Sequence, residues 1–391
     1  SQPAVQPVAA QAPAAQTQVA AMPPPPPPAV PFDQALMTAA NALFSGAKLT
    51  DGAARHPLVI DPLIDGVTGS QSRATRTMQE RIINLVRERY PQFEVQPLST
   101  ETISRQPLVL VGTFTPVNAE NRTAGRREAY RICLVLADLR SGRTVGKGVA
   151  RALLDGVDAT PTAFFQDSPA WTKDPHSEAY IQTCQGTRPG DPINPTYLDG
   201  ILASALLAEA IEAYDSGNYD QALGLYEAAL RTNGGDQLRA HNGVYLANWK
   251  LGRRTEAEQA FADLVDFGIK NQRLGVKFLF KPGSTAFVPD AEITEPYAFW
   301  LRQIALETAG NNACLEVAGH TSPTGPAPLN ERLSLLRAEF VKSRLETESP
   351  QLGARTIAAG MGSRENLVGT GRDDATDALD RRVEFKVIPS C

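Results

Sequence analysis

Between Leu198 and Gly268 the sequence repeats itself. Gly217-Asn-Tyr219-Asp-Gln-Ala222, followed by Tyr226 and Ala229, returns as Gly252-Arg-Arg-Thr-Glu-Ala257, followed by Phe261 and Leu264, an offset of 35 residues. Apolar side chains at three- and four-residue spacing make each copy helical. Glycine makes the turn between paired helices, the small alanine lets them approach, and the aromatic ring fills the gap beyond. Two copies are fewer than the roughly three that a free-standing array needs. The stretch must therefore lean on a neighbour, and 391 residues leave room for two or three domains of about 100–200 residues each.

Residues 1–31 provide no such neighbour. They hold ten of the 30 prolines, including the run Pro23 to Pro28, and no charged side chain. Such a segment cannot bury a core. It reads as a disordered Pro/Ala-rich tether whose proline run extends at about 3.1 Å per residue. The chain opens Ser-Gln without a basic start and apolar stretch, so no signal peptide is expected within these residues. This suits a mature, exported protein whose leader, with a lipid-bearing first cysteine, has been cut away; a sequence that simply starts here is the other reading.

Composition removes several function classes. With 38 basic against 43 acidic side chains and a net charge of −5, no global positive field exists to attract nucleic acid. No stretch approaches the roughly 18 uncharged apolar residues of a membrane-spanning helix. The four cysteines, Cys133, Cys184, Cys314 and Cys391, include no Cys-x-x-Cys pair, which argues against zinc and thioredoxin-like chemistry. Two disulfides are permitted, and the pairing favoured is Cys133 with Cys184 and Cys314 with Cys391. Buried free thiols are the alternative.

Residues 32–160 read as an α+β domain. A helix runs from Phe32 to Phe44, a strand over 57–62, an amphipathic helix over 72–90 ended by Pro91, then strands at 93–95, 108–114, 130–138 and 144–149. This order, with the hairpin Tyr130-Arg-Ile-Cys-Leu-Val-Leu-Ala-Asp-Leu-Arg-Ser-Gly-Arg-Thr-Val145 and the Pro-rich tether before it, resembles penicillin-binding-protein activator lipoproteins of the LpoB kind. Residues 161–196, rich in Pro, Asp, Ser and Gly, read as a long surface loop or linker pinned by Trp171 and Tyr180. The repeats at 197–270 resemble tetratricopeptide repeats. That resemblance implies either a face that captures partner proteins or a simple spacer.

Residues 271–391 alternate as strand 276–280, helix 294–309, strand 314–319, helix 330–346, strand 355–359 and strand 382–387, a βαβαββ order with helices on one face of a sheet. Between the second strand and second helix stands Gly319-His-Thr321-Ser-Pro-Thr-Gly325-x4-Asn330-x2-Leu333-Ser334-x2-Arg337-Ala338, with Gly360-Met-Gly362 and Arg381-Arg382-Val383-Glu384 further on. These pieces resemble the peptidoglycan-associating OmpA-like domain. The resemblance implies a pocket for the zwitterionic end of diaminopimelate in the stem peptide, lined by Thr321, Ser322, Asn330, Leu333 and Arg337. Asn330 and Arg337 stand seven apart, nearly two helical turns and so on one face, where a guanidinium can meet a carboxylate in a bidentate pair. A surface salt bridge from Arg337 to Glu331, Glu339 or Asp380 is the competing reading.

One position departs from the pattern: the family's aspartate after Thr is Ser322 here. A hydroxyl accepts a hydrogen bond but does not neutralise an ammonium, a loss worth about 1–3 kcal/mol. Either wall binding is weak, or Asp373, Asp374 or Asp377 stands in, or the domain is a scaffold. The four histidines form no metal-ligand pair at i, i+4, and neither a nucleophile elbow nor a phosphate or dinucleotide loop occurs. No enzyme, cofactor or metal is expected, and His320 reads as structural. The expectation is a periplasmic, outer-membrane-associated protein that engages peptidoglycan through its last domain and envelope partners through the others. The alternatives are an assembly scaffold of a secretion, motor or pilus machine and an activator of wall synthases.

Overall fold

The computed structural model describes every residue except 1, 19, 23, 50, 51, 53, 54, 172 and 375. Pro23, first of the proline run, lies outside the described residues, and among the described residues of the tether there is no helix. Its end joins the first domain, where Val30 N donates to Arg151 O at 3.1 Å and Leu153 N to Val30 O at 2.8 Å. The domain edge therefore reaches back before Phe32.

The first sheet contains β1 (His56–Ile60), β2 (Phe93–Val95), β3 (Leu108–Val117), β4 (Ala129–Asp138) and β5 (Arg143–Leu153), in the order β2-β1-β3-β4-β5. β2, β1 and β3 run parallel, and β3, β4 and β5 antiparallel. Helices Phe32–Gly46 and Arg73–Arg89 cover one face, burying Leu36, Leu43, Met78 and Ile82 against Leu110, Ile132 and Leu134. A capping box starts the second of these helices: Thr75 N donates to Ser72 Oγ, and Ser72 N to Thr75 Oγ1.

Residues 161–196 depart from the expected loop. They hold helices Ala163–Asp167, Pro175–Gln185 and Pro195–Asp199. Pro175 and Pro195 open their helices, where a missing N–H costs nothing, and Asp174 and Asn194 cap them. The prolines that made the segment look like a loop are thus helix starters. Tyr180, Cys184 and Tyr197 pack on Val109, Val111 and Val135, the other face of the first sheet. Tyr180 pins the segment as expected: its hydroxyl accepts from Gly112 N at 2.9 Å and donates to Pro62 O at 3.0 Å.

Two helical hairpins follow, Ile201–Asp215 with Tyr219–Arg231 and Leu238–Lys250 with Arg254–Lys270. Gly217 and Gly252 make the turns at φ of 79° and 75°, a region costly for other residues. Helices of both hairpins hold the chain's own linker. Asn242 grips Ala170 at two points, accepting from its N–H at 3.3 Å and donating to its carbonyl at 3.0 Å, while Phe164 stacks on Tyr226.

The second sheet contains β6 (Arg273–Leu279), β7 (Cys314–Gly319), β8 (Thr356–Gly360) and β9 (Arg382–Ile388), in the order β6-β9-β7-β8. β7 and β8 are parallel, and β9 is antiparallel to both β6 and β7. Helices Tyr297–Gly310 and Ala327–Glu348 complete the domain. The repeats share its core: Phe261 stacks on Trp300 at 5.6 Å, and the Trp300 indole N–H donates to Tyr245 Oη at 2.8 Å. Cys314 and Cys391 form a disulfide, whereas Cys133 and Cys184 are adjacent buried thiols. Among the described residues, no helix is long and apolar enough to cross a membrane.

Candidate functional site

The site is built where β7 hands over to helix Ala327–Glu348. Gly319 ends the strand, and a Cβ there would fall 1.9 Å from Ser334 O, so only glycine lets the helix backbone approach this closely. The loop His320–Pro326 is then tied on several sides. Thr321 N donates to Gly362 O at 2.9 Å, Gly362 N to Ser334 Oγ at 2.9 Å, and Asn366 Nδ2 to Thr321 O at 2.8 Å. Asn330, expected to meet a ligand, also holds the loop, donating from Nδ2 to Thr324 O at 3.0 Å. Leu333 is half-buried on the same helix.

Arg337 lies deeper than the surface salt-bridge reading places it. It makes no surface salt bridge to Glu331, Glu339 or Asp380, and it does not stand over an open mouth. Its side chain is fully buried, with Nε donating to Ser284 O at 2.8 Å and the two terminal nitrogens to His320 O and Lys281 O at 2.9 Å each. Burial, with Arg381 nearby, pushes the guanidinium down to about 10, still charged at neutral pH. Three of its five N–H donors are thus engaged. The carbonyls of Lys281 and Ser284 come from a solvent-facing turn that covers the guanidinium.

An acidic side chain from the loop before β9 reaches the His320–Pro326 loop. Asp373, in the loop before β9, accepts from Thr324 Oγ1 at 2.5 Å, and Ser322 Oγ lies 3.0 Å from the same hydroxyl. Asp373 also pairs with Arg381 at 3.4 Å while keeping about a third of its side chain exposed. Partial burial pushes its carboxyl up, but hydrogen bonds from Ser322 and Thr324 and the Arg381 charge outweigh this and hold it below the usual carboxylate range. Asp374 turns to Thr376, and Asp377 is buried against Arg381 at 3.2 Å. Of the three candidate stand-ins, Asp373 is the one placed beside Ser322. Thr321 Oγ1 is buried without a partner among the described residues, so it has a hydrogen bond to offer.

Sequence reasoning missed what supports this loop. Asp380 accepts from the backbone N–H groups of Leu367 and Gly369 at 2.7 Å each. Arg127, from the β3–β4 hairpin of the first domain, donates to Asn366 O at 2.6 Å, and its own N–H to Gly369 O at 3.0 Å. His320 is buried, and burial pushes its imidazole down to about 4, hence neutral. With Glu365 and Glu384 it converges within 4.8 Å. Those carboxylates already have counter-ions: Arg382 lies 3.0 Å from Glu384, and Lys386 3.0 Å from Glu365. Glu384 in turn accepts from the Trp171 indole N–H, tying the linker to β9.

No protein-family profile matches the chain. Over 76 residues it is 41% identical to outer membrane protein Omp38 of Acinetobacter baumannii, a stretch covering 18% of this chain and 20% of that protein. The chain therefore spans about a fifth of the length of the curated relatives it matches. Similar solved structures include the peptidoglycan-associated lipoprotein from Burkholderia pseudomallei, 24% identical with a TM-score of 0.24, covering 29% of this chain and 89% of that one. The cell wall anchor of the T6SS from Pseudomonas aeruginosa is 26% identical with a TM-score of 0.24, covering 33% and 96%. The periplasmic domain of Helicobacter pylori MotB is 18% identical with a TM-score of 0.23, covering 28% and 69%.

Proposed function

We propose that this chain is a non-enzymatic, periplasm-facing protein of a Gram-negative outer membrane, and that its last domain grips the charged end of diaminopimelate in the peptidoglycan stem peptide. The observation that carries the reading is the Asp373 carboxylate, partly exposed beside Ser322 and Thr324 and paired with Arg381, which in turn lies near Arg337. A zwitterion needs an anion for its ammonium and a cation for its carboxylate within a few ångströms. Asp373 restores the anion that Ser322 lacks. The 41% likeness to an outer membrane protein supports the same compartment. For a ligand carboxylate to reach the two uncommitted Arg337 N–H donors, the Lys281–Ala286 turn that covers them has to shift.

The test is calorimetry of the full chain with a diaminopimelate-containing muropeptide, alongside pelleting with purified sacculi. Asp373→Asn is expected to weaken binding about ten- to a hundredfold, Asp374→Asn to leave it unchanged, and Ser322→Asp in the Asp373→Asn background to restore part of it. A parent chain that ignores sacculi, or an Asp373→Asn variant that binds like the parent, refutes the reading. The scaffold alternative is favoured by one observation, the sealing of Arg337 behind two carbonyls. It predicts no pelleting by the parent.

A further inference from the structure

Cys133 stands in the middle of β4, and Cys184 near the end of helix Pro175–Gln185, 51 residues apart in sequence. The two thiols are 3% and 0% exposed, and their Sγ atoms lie 2.7 Å apart. Each thiol also directs its hydrogen-bonding capacity at the other's backbone, Cys133 Sγ to Cys184 O at 3.0 Å and Cys184 Sγ to Cys133 O at 3.1 Å. The side chains therefore face one another, and closing to a bond of about 2.05 Å asks each sulfur to move by roughly 0.3 Å.

We propose that Cys133 and Cys184 form a second disulfide that staples helix Pro175–Gln185 to the first sheet. One thiolate attacks an external disulfide, a protein oxidant or oxidised glutathione, and releases one thiolate of that reagent. The remaining cysteine then attacks the mixed disulfide and expels the second. Two protein thiols lose two electrons and two protons, and the external disulfide is reduced to two thiols. Because both sulfurs are sealed from solvent in the folded chain, the exchange takes place before the helix docks or when it lifts away. The staple sits at the root of the segment that the repeats grip through Asn242 and that Trp171 ties to Glu384. It makes that segment a covalent part of the first domain. The inference rests on the envelope reading only for the source of oxidant.

The experiment uses the full chain, refolded in a glutathione redox buffer. Non-reducing peptide mapping is expected to join the Cys133 and Cys184 peptides, and no thiol should titrate in denaturant. On a Cys314→Ala/Cys391→Ala background, reduction should lower the melting midpoint by about 5–10 °C, and adding Cys133→Ala/Cys184→Ala should abolish that sensitivity to reductant. Two titratable thiols per chain after oxidative refolding overturn the proposal. The same result follows if the two peptides are recovered separately. A bridged chain that ignores sacculi refutes the wall reading and leaves the staple standing. Free thiols in a chain that pellets do the opposite.

Discussion

Lys277 offers a measurable charge penalty inside the shared core. It lies on β6, only 7% exposed, with Nζ 3.4 Å from Phe165 O, a long and weak hydrogen bond. Burial pushes its ammonium from 10.5 down to about 8, and the nearby Asp167 carboxylate offsets this only in part. The unfolded chain holds the proton up to 10.5, so below pH 8 the native state carries a charge at a cost of about 3 kcal/mol. Between pH 8 and 10.5 the native lysine sheds its proton first, and stability rises. Lys277→Met keeps the volume and removes the charge. It is expected to stabilise the protein by about 2–3 kcal/mol at pH 7 and by less than about 1 kcal/mol at pH 10. Urea unfolding followed by tryptophan fluorescence reads this core, since Trp300 and Trp249 both border it. A variant no more stable than the parent at pH 7, or a gap that stays constant from pH 7 to 10, refutes the reasoning.

Two further substitutions probe how the site is held. Arg127→Ala removes a buried charged donor from the carbonyl of Asn366, so hydrogen exchange over residues 366–377 should quicken by roughly tenfold or more; unchanged exchange there would separate the first domain from the site. Gly319→Ala should cost about 1–3 kcal/mol and abolish muropeptide binding, because helix Ala327–Glu348 must retreat from β7; a variant with parental melting and affinity would show that the close approach does not shape the loop.

Both sheets were legible in the sequence, because most of their strands alternate or run apolar for five or more residues and their helices carry an apolar face. So was the helical hairpin pair, through the recurrence of Gly217 and Gly252 and of Tyr226 and Phe261. The linker was not. Its prolines signal loop when read along the chain, yet Pro175 and Pro195 sit in the one helical position that tolerates them. Its apolar residues are too sparse to show a period. They are held by partners dozens to hundreds of residues away in sequence, as Tyr180 is by Gly112 and Trp171 by Glu384.

The same division runs through the site. Local spacing placed Thr321, Asn330 and Arg337 in one loop and helix, because strand, turn and helix geometry act over a few residues. Which of Asp373, Asp374 and Asp377 stands beside Ser322 depends on how the loop before β9 folds back across β7, and no pattern of neighbouring residues encodes that. The burial of Arg337 under the Lys281–Ala286 turn is likewise a tertiary outcome. Its hydrogen-bond partners are backbone carbonyls, which every residue carries, so side-chain identity could not announce them.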